Sequence, residues 1–322
     1  MDNIKRIKNK IWKKHSRSKH LRGATRNKWK QEAKAFEKDC EETSRVLLQP
    51  WMTILDESIH FLVQLYNLPI KDGDDRPIAM TTNTLIAKAC GLALSGRKLI
   101  ILGFEDGAAI IVRSLFETLD LATVSMHDDK FALGYFGEDS DEKTFWTKNV
   151  AYGKINQTLK AIAATLDLPQ DDIDDFVQFC RNSKDNLSGS VHVSPSSAML
   201  SCLVPSLANP GFFVRTIHGH HGVNSPALTK IMYTRIFYFG STFMKLLLNR
   251  HDSAYFRSTS DISSKPFKDL IASYMTFQEV NDTLDECELP EMERYLTDGD
   301  QSEGMAEKER GRGVKRGRGV RP

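Results

Sequence analysis

Apolar residues recur at helical spacing along most of the chain. From about Trp29 to Tyr66, the residues Val46, Leu47, Trp51, Ile54, Leu55, Ile59, Leu62 and Val63 fall on one side of a long helix. Pro50 has no backbone N–H to donate and must kink or split that helix. The polar run NLPIKDGDDRP ends it, and TTNTLIAKACGLALSG predicts the next, led by threonine caps. The stretch EDGAAIIVRSLFETLDLA belongs to a helix from about Leu102 to His127, and helical patterns follow at roughly 128–149, 153–166 and 170–184. The last of these opens on PQDDIDD, whose carboxylates suit the positive N-terminal end of a helix dipole. From Asn186 the texture changes to Gly, Pro and Ser, with short apolar pieces such as FFVRTI that read as strands. Residues 227–250 then carry apolar side chains around most of a helix, which predicts deep burial, and a final helix spans about 265–286. The expected fold is all-α: a helical bundle with an irregular Gly/Ser/Pro-rich insertion and basic, partly disordered termini.

The two ends differ from this body. MDNIKRIKNKIWKKHSRSKH places Ile4, Ile7 and Ile11 on one face with Trp12 beside them and lysines around the rest, the pattern of a basic amphipathic helix. The other end, ERGRGVKRGRGVRP, is a six-residue repeat of low complexity. The expected organisation is a basic segment over 1–30, a helical domain over 31–286, and a tail over 287–322 that runs from acidic to basic. Charge sharpens the division. The chain carries only +2 overall, yet residues 1–30 hold +11 and residues 306–322 hold +5, leaving −14 on the stretch between. Such a partition points to an electrostatic task at the ends.

Phosphate is the natural partner of that task, because each cation that neutralises one releases a counterion. The candidate contacts are Lys5, Arg6, Lys8, Lys10, Lys13, Lys14, Arg17 and Lys19 at one end and Arg310, Arg312, Arg316 and Arg318 at the other. Trp12 and Trp29 add stacking surface, and the Arg-Gly spacing of the tail is that of pliable RNA-binding segments, which favours RNA over DNA. An anionic membrane surface is the other partner that the Ile4, Ile7, Ile11 face would suit. No run of residues is apolar enough for a transmembrane span. Five scattered cysteines with no paired spacing argue against a disulfide framework and fit a reducing, cytoplasmic setting.

Chemistry is sparser. On a wheel of about 100° per residue, Asp106, Arg113, Glu117 and Asp120 fall within an arc of roughly 60°, flanked by Phe116, Ala109, Ile110 and Leu121. A solvent-facing side would be broader, so the stripe is expected to be at least partly enclosed. Three acids and one arginine leave it two positive charges short of neutrality, and the expected donors are Ser188, Ser190, His192 and Ser194 of SGSVHVS. If the Arg113–Glu117 pair is buried, loss of either partner should cost roughly 3–5 kcal/mol. A helix reading AAIIVRSLFE followed by LSGSVHVSPSSA resembles a family of helical bacterial and phage proteins without an established activity, which carry an R-S-x-x-E helix and a later S-x-x-V-H-x-S segment. The resemblance covers about residues 50–255, implies an all-helical fold, and marks Arg113, Ser114, Glu117, His192 and Ser194 as the matching positions.

Other constellations carry less. Arg215 with His220 or His221 matches the Arg-to-His spacing of helical ribonuclease toxins, but Gly219 and Gly222 spoil the helix in which that motif sits. HGHHG offers three imidazoles with no second ligand cluster, and reads as a solvent-exposed loop rather than a metal site. There is no Walker loop, GxGxxG or GxSxG, and hence no indicated cofactor. Two functions follow: a nucleic-acid-binding helical protein acting through basic ends, or a helical hydrolase or ribonuclease-like toxin of prokaryotic defence using Arg113, Glu117, His192 and Ser194.

Overall fold

The computed structural model describes Arg6 and residues 24–135, 141–166, 168–191, 203–205, 213–215, 219–222, 224–249, 251–259, 261 and 263–286. Among these the protein is all-α. Eleven helices run in order: α1 (Ala24–Leu47), α2 (Gln49–Tyr66), α3 (Arg76–Ile101), α4 (Glu105–His127), α5 (Asp129–Tyr135), α6 (Glu142–Asn149), α7 (Lys154–Ala164), α8 (Gln170–Val191), α9 (Asn224–Leu248), α10 (Ala254–Thr259) and α11 (Lys265–Glu286). Between α8 and α9, β1 (Leu203–Pro205) pairs antiparallel with β2 (Phe213–Arg215), Val204 opposite Val214. The chain divides into two compact units, Met1–Gln278 and Glu279–Pro322, and the described part of the second is the end of α11. Among the described residues no helix is long and apolar enough to cross a membrane.

Pro50 splits the first long pattern as expected, since α2 begins at Gln49 with the proline in its first turn, where a missing N–H costs nothing. The threonines of TTNTLIAK are not caps, however. The helix starts five residues earlier at Arg76, again with a proline in its first turn, and Thr82 lies inside it, its hydroxyl 2.6 Å from that of Ser125 in the buried contact with α4. The pattern at 128–149 is two helices. Asp128 caps the first of them by accepting from Lys130 N and Phe131 N at 2.8 and 3.2 Å.

Helix α4 is the centre of the bundle. It packs most extensively against α3, and also touches α5, α7, α8, α9 and α10. Every residue from Thr118 to Met126 is buried, so its C-terminal half is enclosed on all sides. Helix α9, expected to be deeply buried, packs on α2, α4 and α8 and buries Met232, Ile236, Phe239 and Phe243. Phe61 of α2 contacts Phe243 and Tyr274 edge-on at centroid distances of 6.4 and 5.5 Å, tying α2, α9 and α11 into one aromatic layer.

Candidate functional site

The polar stripe of α4 folds around one buried carboxylate. Asp120 is 1% exposed and accepts from Arg235 Nη2 of α9 at 2.7 Å and from Lys184 Nζ of α8. Arg235 is itself 1% exposed, and its guanidinium carbon lies 5.7 Å from the ring centres of both Phe116 and Phe176. Two aromatic faces therefore share the cation with the carboxylate. These two cations supply the two positive charges that the stripe lacks.

Arg113 sits two turns earlier on the same face. Its Nη1 donates to the Lys184 carbonyl at 3.1 Å and to the Ser188 hydroxyl, and its Nε is 3.4 Å from Glu117 Oε1. The Arg113 and Glu117 side chains are 26% and 42% exposed. The 3–5 kcal/mol cost expected of this pair therefore belongs instead to Asp120–Arg235, because water still reaches Arg113 and Glu117 and screens them. Ser114, which the resemblance marks, donates to the Ile110 carbonyl one turn back at 3.2 Å.

Arg113 does meet the segment that sequence pointed to, at Ser188. That segment is helical where a loop was expected: α8 runs on to Val191 through NLSGS, with Leu187 buried against the bundle. Contact with α4 overrides the low helix propensity of Ser and Gly. His192 and Ser194 lie outside the described residues. So do Lys5, Lys8, Lys10, Lys13, Lys14, Arg17, Lys19, Arg310, Arg312, Arg316 and Arg318; Arg6 is described, and is helical and exposed. Sequence reasoning missed Arg235 and Lys184. The signal for Arg235 was an ionisable residue inside MYTRIFYFG, a helix apolar on nearly all sides, where a charge must find a partner.

Of the HGHHG histidines, His220 and His221 are described, and neither is solvent-exposed. His221 is 2% exposed, with Nε2 3.0 Å from the Cys40 carbonyl of α1 and Nδ1 3.3 Å from Ser225 Oγ. A carbonyl only accepts, so Nε2 carries the proton. Burial is the main cause that lowers the His221 pKa, and it does the same for His220. Glu105, at the start of α4, reaches the first turn of α9 and accepts from Gly222 N at 2.9 Å and Ser225 Oγ at 2.6 Å. Burial raises its pKa, against the pull of these hydrogen bonds. The loop enters this corner because its backbone lies on that of the α3–α4 turn, where His220 N donates to Gly103 O at 2.9 Å. Among the described residues no group of three His, Cys, Asp or Glu side chains is placed to hold a metal ion. Cys40, Cys90 and Cys180 are buried free thiols, each pushed up to about 11 by burial above all. No family model, curated protein or solved structure matches this chain.

Proposed function

We propose that the protein binds nucleic acid, RNA ahead of DNA, through its two basic ends, with the helical body as their carrier. The carrying observation is the charge partition: +11 and +5 on the ends against −14 between them. Bound phosphates release counterions from those ends, and the acidic body discourages phosphate elsewhere. The body's central cations are already committed: Arg235 and Lys184 to Asp120, and Arg113 to Glu117 and α8. Anisotropy titration of a labelled single-stranded RNA tests the reading. With about six phosphate contacts, log affinity should fall with log salt at a slope near −4, at about −0.7 per phosphate. Replacing Lys5, Arg6, Lys8, Lys10, Lys13, Lys14, Arg17, Lys19, Arg310, Arg312, Arg316 and Arg318 by Gln should weaken binding by about a hundredfold or more at moderate salt. Unchanged affinity in that variant would overturn it.

One contact favours a second reading, a hydrolase or ribonuclease-like toxin. Arg113, 26% exposed, holds Ser188, which precedes His192 by four positions in sequence. This reading demands that His192→Ala abolish toxicity or RNA cleavage while RNA binding persists. The binding reading demands indifference to the same change.

A further inference from the structure

A cavity of about 280 Å³ opens between α7, α8 and α9, with Thr123 of α4 on its lining and Phe176 separating it from the Arg235 guanidinium, 5.7 Å from that ring. Leu159 and Ile162 of α7 and Ile173 of α8 give it an aliphatic lining, and all three are buried. Phe176 and Tyr238 add two rings with centroids 5.0 Å apart, tilted by 50°. The charged residues on the lining are Asp172, Asp175 and Lys245, a surplus of one negative charge. Asp172 and Asp175 are three apart on α8 and so share a face. Their neighbour Asp174 is satisfied by Lys160 at 2.5 Å and Gln170 at 3.0 Å. Asp172, Asp175 and Lys245, by contrast, have no ion-pair partner among the described residues. The two carboxylates are close enough to the Tyr238 hydroxyl to help raise its pKa, after burial and Cys180.

The geometry points to a binding site for a small amphipathic amine, its apolar body on Leu159, Ile162 and Ile173 and its ammonium between Asp172, Asp175 and the Phe176 and Tyr238 rings. The carboxylates, rings and aliphatic side chains of the lining select for this class, with Lys245 opposing them. A neutral apolar guest would strip water from two carboxylates and give nothing back, and an anion would face repulsion from both. An ammonium is the group that both carboxylates and ring faces attract. The size fits too: the space matches about nine waters at roughly 30 Å³ each, and is at the lower edge of the small-molecule range. A single ring with a short aminoalkyl arm fills it.

Calorimetry on the full chain tests the site with phenethylamine, 2-phenylethanol and ethylamine. Phenethylamine should bind about tenfold or more tighter than the alcohol, which lacks the charge, and tighter than ethylamine, which lacks the ring. Asp172 and Asp175 are exposed, so the double variant Asp172→Asn, Asp175→Asn should fold normally. It should bind the amine no better than the alcohol, and the alcohol at least as well as the parent does, since no carboxylate is then stripped of water. The proposal is overturned if none of the three binds in the millimolar range, if ethylamine matches phenethylamine, or if the amine preference survives in the double variant.

Discussion

Asp120 shows how far a single buried charge can organise its surroundings. At 1% exposure it joins three helices, with Arg235 from α9 and Lys184 from α8 bonded to a carboxylate on α4. Removing one partner strands the others in a low-dielectric interior. Arg235→Ala should therefore cost about 3–5 kcal/mol in urea denaturation, part of it from the lost contacts with Phe116 and Phe176. Arg113→Ala, by contrast, should cost about 1 kcal/mol or less, because that guanidinium is 26% exposed and its Glu117 partner 42%. Equal losses for the two variants would show that the buried pair is not the one that matters. The stripe is legible in the sequence because all four of its residues lie on one helix. Its partners are not, since Lys184 and Arg235 come from helices 64 and 115 residues away in the chain. Long-range pairing leaves no local periodicity to read.

Among the elements, the turn between α3 and α4 carries the tightest constraint. Gly103 has φ +69° and Gly219 has φ +89°, both in the left-handed region. A Cβ on Gly103 would lie 2.6 Å from the His220 backbone, and one on Gly219 would overlap the Leu102 carbonyl oxygen. Gly219→Ala should thus lose more than about 2 kcal/mol, adding backbone collision to the roughly 1–2 kcal/mol of left-handed strain. Gly91→Ala is the control. It lies within α3 with nothing within 4 Å of the new methyl, and should stabilise by about 0.5–1 kcal/mol. Thermal melts of the two variants should move in opposite directions, and a common direction would contradict the close approach. The same loop explains where sequence reading failed. A glycine-rich HGHHG reads as solvated, but here the glycines let it press against another turn, and that contact buries His221. Helix positions were legible where apolar residues recurred at helical spacing, on one side as in α2 or around most of the helix as in α9. They were misjudged where a tertiary contact decided the boundary, as at the start of α3 and the end of α8.

At the scale of the whole molecule, acidification acts through the titratable groups of the helical body. His127, His220 and His221 all have pKa values held below the usual 6.5, in each case mainly by burial. A histidine with a depressed native pKa takes up its proton more readily in the unfolded chain. Stability should therefore be steady above neutrality and fall as pH drops through 6.5 toward the native values. Glu105 works the other way: its raised native pKa keeps a proton that the unfolded chain releases, so its contribution is lost as pH rises from 4.5 through the native value. The half-buried carboxylates of Glu41 and Asp75 and the exposed ones of Asp174 and Asp261 are held below their usual values, chiefly by hydrogen bonds to Lys98, Arg257, Lys160 and Ser263, and add a loss only at lower pH. Three histidines oppose one glutamate, so the net slope below 6.5 is destabilising. At the limit each histidine contributes about 1.4 kcal/mol per pH unit. His221→Gln isolates one of the three, since an amide can still donate to the Cys40 carbonyl but does not titrate. Urea midpoints measured from pH 7.5 to pH 5 should decline less steeply in that variant than in the parent, by about a third of the slope or more if the three contribute alike and Glu105 opposes them. Parallel decline would mean that His221 takes up its proton without leaving the corner between α1, α4 and α9. The acid sensitivity would then have to come from His127 and His220.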